Sequence, residues 1–271
     1  MNNPLIQQLR KNLRPYAKAK LWNKCFGIGQ HKTGTTSLNK IFQLLGYDCA
    51  PQQEIEIATT KQVMHGNYVE LFRQVEKYDF FQDSPFAQGL CWVALDAKFP
   101  GSKFIYTDRD PDSWFASLFN FHNKRTKNID LNQNSENIIP DSYLREGYQR
   151  ENIEHYYLST SQPHPNHGID LKHDLLYNEE HYKKIYCQRR EQIIKYFQKR
   201  PSDLLIIDLT KETDISRISD FLDLPSWINF TIPHVNKTDK SEATRNQGID
   251  LLSDRLKRRM QRGKTQKSPL S

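Results

Sequence analysis

Short apolar runs alternate with amphipathic segments along most of the chain. The apolar runs are bounded by polar or turn-forming residues, as in buried strands, and they are Trp22–Ile28, Tyr47–Ala50, Asp79–Gln82, Lys103–Thr107 and Leu204–Asp208. Other segments repeat apolar residues every three or four positions, which predicts helices over Thr35–Leu45, His65–Val75, Leu90–Phe99, Pro111–Phe121, Glu179–Arg200 and Asp214–Leu222. Strands that alternate with helices predict an α/β fold, with a mostly parallel sheet flanked by helices.

The pattern changes between residues 122 and 175. Polar, Asn-rich sequence there surrounds one helical segment, Tyr143–Leu158, and one loop-like segment, Ser159–His173. We interpret residues 122–175 as an insertion that forms a lid or acceptor side over the sheet edge. The other boundaries are a basic N-terminal segment at 1–21, amphipathic but interrupted by Pro15, a main domain at 22–240, and a basic C-terminal tail at 241–271.

The positive charge lies mainly in the tail. The formal net charge is +7, and from Leu251 onward there are seven basic residues and one acidic residue. The charge therefore does not indicate a nucleic-acid-binding domain, and we expect a solvated, frayed end. No apolar run approaches the roughly 18 residues of a membrane span, and the N-terminus lacks a secretory signal. We expect a cytoplasmic protein without a transmembrane segment; its oligomeric state is left open.

The four cysteines are widely separated. None belongs to a CxxC pair, which argues against a zinc site or a disulfide framework. Three lie in apolar runs, so we expect buried free thiols at Cys25, Cys49, Cys91 and Cys187.

The segment Gly29-Gln30-His31-Lys32-Thr33-Gly34-Thr35-Thr36, called the glycine loop below, lies between a predicted strand and a predicted helix. Glycines at these positions let backbone N–H groups converge on a phosphate, and the helix N-terminus adds a favourable dipole. An ATP-binding loop carries a lysine directly after the second glycine. This chain has Thr35 there, and its lysine, Lys32, precedes Gly34 by two residues.

Residues 32–37, Lys-Thr-Gly-Thr-Thr-Ser, resemble the donor-binding loop of sulfotransferases. The resemblance is to the bacterial-type family that depends on 3′-phosphoadenosine 5′-phosphosulfate (PAPS). It implies a P-loop NTPase-like fold, PAPS as donor, 3′-phosphoadenosine 5′-phosphate (PAP) as product, and no metal. It implies that Lys32 neutralises charge on the leaving oxygen, as a preorganised cation can. It also implies that the 5′-phosphate is held by Lys32, Thr33, Gly34, Thr35, Thr36 and Ser37.

A second pair of residues extends the resemblance. Arg109 follows the predicted strand Lys103–Thr107, and Ser117 lies eight residues later in a predicted helix. The spacing resembles the family's 3′-phosphate site, and a guanidinium suits a phosphate dianion. The C-terminal part also resembles the bacterial-type family, which implies that Asn236 and Lys237 close over the nucleotide; an ordinary turn explains them equally well.

Transfer to a hydroxyl is assisted by a general base. Asp83 is the first candidate, because it ends a predicted strand at the carboxyl edge, where ligands bind in open α/β sheets. The alternative for Asp83 is that it caps the next helix. His31, within the glycine loop, is the second candidate, with a sulfate contact or a tolerated substitution as its alternatives. His122 is the third, although a surface residue is its more ordinary explanation. The other histidines show no metal-ligand spacing, so we expect no metal site.

The acceptor is predicted only as a class, a small molecule or carbohydrate with a hydroxyl or amine. We expect the insertion and the Pro85-Phe86 turn to supply its pocket. Four tyrosines of the insertion are candidates to line it, although such residues are more often core: Tyr143, Tyr148, Tyr156 and Tyr157.

Two other classes of function stay open at this point. A P-loop kinase or NTPase using Mg-ATP would use the two glycines and a strand-end carboxylate at Asp208. A non-catalytic binding protein with a P-loop-like fold would use the same scaffold without chemistry. The displaced lysine argues against the first, and the presence of both Lys32 and Arg109 argues against the second.

Overall fold

A parallel sheet forms the centre of the protein. The structure, a computed structural model, describes residues 4–126, 161–164, 168–172 and 175–233. Its strands are β1 (Cys25–Gly27), β2 (Phe80–Gln82), β3 (Lys103–Thr107), β4 (Ser161–His164), β5 (Gly168–Leu171) and β6 (Leu204–Ile207). Four of them form one sheet in the order β2-β1-β3-β6, and every neighbouring pair in it is parallel. The predicted α/β class is confirmed.

Helices precede, connect and follow these strands. They are α1 (Pro4–Lys18), α2 (Thr35–Leu45), α3 (Gln52–Met64), α4 (Val69–Val75), α5 (Cys91–Lys98), α6 (Pro111–Thr126), α7 (Glu179–Phe197) and α8 (Ser216–Phe221). Helix α2 has its predicted bounds and ends at Gly46, whose φ of 93° is the left-handed cap that glycine adopts without strain. Within the described ranges, no helix is both long enough and apolar enough to span a membrane.

Alternate strand residues point to opposite faces of the sheet, and both faces are covered. On one face, Cys25, Phe80 and Ile105 pack with apolar residues of α1, α2 and α8. On the other, Phe26, Phe81 and Phe104 pack with residues of α4, α5 and α7. Since successive side chains of a strand alternate, this arrangement gives the three layers expected of a parallel sheet. A third buried cluster joins α6 to α7.

Four predictions about elements are wrong. Helix α1 continues through Pro15, because its buried stripe of Leu9, Leu13 and Ala17 packs in the core beside α2 and outweighs the lost hydrogen bond. Helix α3 was missed, since its buried face includes polar residues. Residues 47–50 make only an isolated bridge, Cys49 to Phe80, and the segment read as loop holds the antiparallel pair β4–β5. The four cysteines are free thiols as predicted, but only Cys25 and Cys91 are buried, while Cys49 and Cys187 are partly exposed.

Candidate active site

The carboxyl ends of the four parallel strands meet at one edge of the sheet. The glycine loop follows β1, Asp83 follows β2, Arg109 follows β3 by two residues, and Asp208 follows β6. Ligands bind at this edge in open parallel sheets. The topology therefore gathers the principal residues singled out from the sequence into one region.

The glycine loop is tied to the neighbouring strand β3. Gly29 lies so close to Thr107 that a Cβ atom would come within 2.0 Å of its Oγ1 and 2.5 Å of its carbonyl oxygen. The hydroxyl of Thr33 donates to the carbonyl of Gln30 and lies 2.6 Å from the hydroxyl of Thr107. Thr33 is fully buried. Its hydroxyl therefore bonds within the protein and holds the loop in shape.

Helix α2 begins directly at the end of the loop. Gly34 is its N-cap, with φ 102°, and the first turn contains no acidic residue. A positive φ is accessible to glycine at little cost, so the chain turns sharply into the helix there. A glycine cap supplies no side chain to the first-turn N–H groups, and this leaves the positive end of the helix dipole facing the loop.

Two side chains, one at the start of α6 and one just before it, donate hydrogen bonds to backbone carbonyls of the glycine loop. The indole Nε1 of Trp114 donates to the carbonyl of His31 at 2.9 Å. The guanidinium of Arg109 donates to the carbonyl of Lys32 at 3.0 Å. Lys32 has φ 67°, an uncommon conformation for a residue with a Cβ atom, and its Nζ lies 4.0 Å from the ring centre of Phe121. The two hydrogen bonds stabilise this strained part of the loop.

Arg109 is held from several sides. Its backbone N–H contacts the Asp108 carboxylate at 3.0 Å and the Tyr186 hydroxyl at 2.9 Å. The other oxygen of that carboxylate accepts from Nε of Arg190 at 2.7 Å. Among the described residues, the buried Nε of Arg109 has no hydrogen-bond partner. A buried donor without a partner is costly, and an anion at this position would satisfy it.

Ser117 lies on α6 and is half-buried. It comes three residues after Trp114 and four before Phe121, a spacing that places all three on one face of the helix. That face contacts the glycine loop through Trp114, which donates to His31, and through Phe121, whose ring lies against Lys32.

Asp83 and His31, proposed from the sequence as alternative bases, are in contact. Nδ1 of His31 lies against Oδ1 of Asp83, and the two side chains are 15% and 22% exposed. Asp83 also accepts hydrogen bonds from the Thr35 hydroxyl and from the backbone N–H of Ser84, both at 3.1 Å. Thr35 belongs to the first turn of α2, so this carboxylate links β2 to the glycine loop.

The environment of Asp83 has opposing effects on its acidity. Burial alone would raise the pKa of the carboxyl group. The charge of His31, with hydrogen bonds from His31, Thr35 and Ser84, outweighs burial and lowers the pKa below its ordinary value. Asp83 is therefore held as a carboxylate.

A cavity of about 320 Å³ opens beside Arg109, between β3, β6 and α7. Its lining combines three cationic side chains with carboxylates and a tyrosine: Asp108, Arg109, Asp110, Pro111, Tyr186, Cys187, Arg190, Asp208 and Lys211. Sequence reasoning missed Trp114, Tyr186, Arg190 and Lys211 as site residues. Three of these residues lie on helices, and helical periodicity does not say which face of a helix meets the site; Lys211 lies in the turn after β6.

Some residues proposed from the sequence lie outside the described residues. These are the nucleotide candidates Asn236 and Lys237, the tyrosines Tyr143, Tyr148, Tyr156 and Tyr157, most of the insertion and the tail at 241–271. His122 lies on α6, but nothing is described of its side chain. Within the described ranges, no cluster of three His, Cys, Asp or Glu side chains could hold a metal ion.

A comparison with models of known protein families finds a match. A family model described as a sulfotransferase domain matches residues 24–241. The match includes the glycine loop, Asp83, Arg109 and the cavity beside it. No curated protein matches the chain.

Proposed function

The chain belongs to the sulfotransferase family, because the matching family model covers most of the chain; we propose that the protein transfers a sulfuryl group from PAPS to a hydroxyl or amine acceptor. The observation that carries the proposal is the glycine loop. Its lysine precedes the second glycine, and its backbone is held by hydrogen bonds from Arg109 and Trp114. The loop thus combines a site for the 5′-phosphosulfate with a cation for the leaving oxygen.

The order of the strands supports one orientation of the donor. The glycine loop follows β1, which lies between β2 on one side and β3 and β6 on the other. Arg109 and the cavity lie on the β3–β6 side, so we place the nucleoside there, with its 3′-phosphate on Arg109 and Ser117. The sulfuryl group then faces the β2 side, where Asp83 and His31 lie. The acceptor enters from that side.

The phosphate contacts within the glycine loop divide into two kinds. Thr33 and Thr35 use their hydroxyls inside the protein, and we propose that they bind the 5′-phosphate through their N–H groups. Thr36 and Ser37 can supply hydroxyls as well, because Thr36 is exposed and Ser37 is only half-buried. Lys32 neutralises the charge that develops on the bridging oxygen as the sulfur–oxygen bond breaks, and no metal is required for this step.

The remaining parts are assigned on the resemblance. We propose that residues 22–240 are the catalytic domain, that its insertion at 122–175 forms the acceptor side, and that Asn236 and Lys237 close over the nucleotide. The segments at 1–21 and 241–271 are proposed as basic extensions. The acceptor is a small molecule or carbohydrate.

The carboxylate of Asp208 favours this reading over a magnesium-dependent kinase. In a kinase or NTPase with this fold, a strand-end carboxylate serves the metal site. Here Oδ1 of Asp208 accepts from the N–H and hydroxyl of Thr210, at 2.9 and 2.6 Å, and Oδ2 lies 3.3 Å from Nζ of Lys211. Both oxygens are thus engaged by their own loop.

Thermal unfolding with PAP or Mg-ATP tests the proposal. A ligand that binds only the folded state at 100 times its Kd stabilises it by about 2.7 kcal/mol. We expect PAP to raise the Tm of the wild type, Lys32→Ala to reduce the shift, and Arg109→Ala to abolish most of it. Lys77→Ala and Arg73→Ala, at exposed positions, are matched controls that keep the shift. A large shift with Mg-ATP and none with PAP would refute the proposal.

A further inference from the structure

We propose that His31 is the general base of the transfer and that Asp83 is the residue that positions it. The inference rests on the proposed function, because it assigns a step of the same reaction. The sequence indicated Asp83 and His31 as alternative general bases, and the proposal gives each of them a different role.

The contacts of Asp83 suit it to hold a partner rather than to take a proton from an acceptor. Its Oδ1 meets Nδ1 of His31 and the N–H of Ser84, and its Oδ2 accepts from Thr35. Both oxygens are therefore already engaged within the protein.

His31 is fixed at both its backbone and its side chain. Trp114 donates to its carbonyl at 2.9 Å, and Asp83 contacts Nδ1 of its ring. When Nδ1–H of a neutral imidazole donates to a carboxylate, the lone pair resides on Nε2. The carboxylate thus sets the tautomer that can accept a proton, and it stabilises the imidazolium that forms afterwards.

The position of His31 in the chain matches the chemistry. It directly precedes Lys32, which serves the leaving oxygen, and its side chain meets the end of β2, on the side opposite the cavity beside Arg109. Base and leaving-group cation are thus adjacent in one loop. An in-line transfer needs the acceptor and the leaving oxygen on opposite sides of the sulfur, and the side chain of His31 lies on the β2 side, from which the acceptor is proposed to enter.

The transfer forms one bond to sulfur and breaks another. The acceptor oxygen forms a bond to sulfur while its proton passes to Nε2 of His31. The bond between sulfur and the bridging oxygen breaks, and its electron pair leaves with PAP, whose new charge Lys32 neutralises. The products are the sulfate ester, PAP and imidazolium, which returns its proton to solvent.

Nitrogen-15 NMR of the histidine side chains, in protein saturated with PAP, tests the positioning directly. We expect neutral His31 to carry its proton on Nδ1 in the wild type. In Asp83→Asn the amide can donate to Nδ1, so the proton moves to Nε2. Two separate variants at exposed positions, Asp220→Asn and His65→Gln, are the controls. A wild-type His31 protonated on Nε2 would overturn the proposal.

Turnover separates the two roles. With ³⁵S-labelled PAPS and a panel of alcohols, phenols and sugars, we expect His31→Asn to lose about 10²–10⁴-fold in kcat. Asp83→Asn should lose less, about 10–100-fold, and both variants should keep PAP binding. Turnover that survives in His31→Asn and is lost in Asp83→Asn would make Asp83 the base. If the wild type itself did not bind PAP, the sulfotransferase proposal would fail, while the NMR result without PAP would still report on the pair.

Discussion

Replacing Gly29 by alanine tests how closely the glycine loop is packed against β3. The added Cβ would lie 2.0 Å from Oγ1, 2.5 Å from O and 2.7 Å from N of Thr107. All three distances are far below van der Waals contact, and two of the three atoms belong to the backbone of a central strand. Because that strand is bonded to β1 and β6, it cannot withdraw without breaking ladder hydrogen bonds.

The expected cost follows from this geometry. Overpacking a core costs about 1–3 kcal/mol when side chains can adjust, and we expect Gly29→Ala to reach the upper end, about 3 kcal/mol. For a chain of this size that lowers Tm by roughly 6–12 °C. Gly66→Ala is the control, since its Cβ meets nothing within 4 Å and only the left-handed φ costs about 1–2 kcal/mol.

Chemical unfolding measures the free energy of unfolding of each variant, and calorimetry measures its affinity for PAP. We expect Gly29→Ala to lose stability and PAP affinity, and Gly66→Ala to keep its affinity. Adding Thr107→Ala to Gly29→Ala should recover stability only in part, because the backbone contacts remain. If Gly29→Ala were no less stable than Gly66→Ala and bound PAP normally, the close packing of the loop against β3 would be refuted.

Three further predictions concern contacts around the site and the core. Trp114→Phe keeps an aromatic ring at the position that stacks on Tyr186 but removes the N–H that donates to the His31 carbonyl. We expect PAP binding, measured by calorimetry, to weaken by about 0.5–1.5 kcal/mol; unchanged affinity would show that this hydrogen bond does not organise the loop. The pKa of Asp83 is lowered in the fold, so its contribution to stability is present above the ordinary carboxyl pKa of about 3.9 and is lost as the pH falls toward the folded value. Urea titrations should therefore show the wild type losing stability more steeply than Asp83→Asn below about pH 4, and parallel profiles would contradict this. Arg200 donates to both oxygens of Asp96, at 3.0 and 2.6 Å, so Arg200→Ala should lower the free energy of unfolding by about 1–3 kcal/mol; a loss no larger than that of the surface variant Arg73→Ala would show that the pair adds little.

Local sequence patterns predicted the elements whose signals are unambiguous. Helix α2 has a clear apolar stripe and a glycine stop, and it was predicted to the residue. Helix α3 was missed because Glu56, Thr59 and Thr60 are buried on it, so burial there does not follow hydrophobicity. Strand β4 contains Pro163, which is a loop signal but is tolerated here because both strands of a two-stranded sheet are edge strands.

The candidate site was predicted as separate pieces. Asp83 and His31 were each singled out, but they are 52 positions apart in the sequence, and their contact depends on the pairing of β1 with β2, which local pattern does not report. The contact of Arg109 with the Lys32 carbonyl likewise arises from the neighbouring positions of β1 and β3. Motifs indicate the type of ligand, while topology decides which side chains meet.

A crystal structure of the protein with PAP tests the central claim most directly. We predict the 5′-phosphate on the N–H groups of Thr33, Gly34, Thr35 and Thr36, with Nζ of Lys32 turned toward it and the 3′-phosphate on Arg109 and Ser117. The nucleoside should lie over the carboxyl ends of β3 and β6, beside the cavity lined by Tyr186. A 5′-phosphate bound away from the glycine loop, or crystals that take up Mg-ATP in this loop and exclude PAP, would contradict the account.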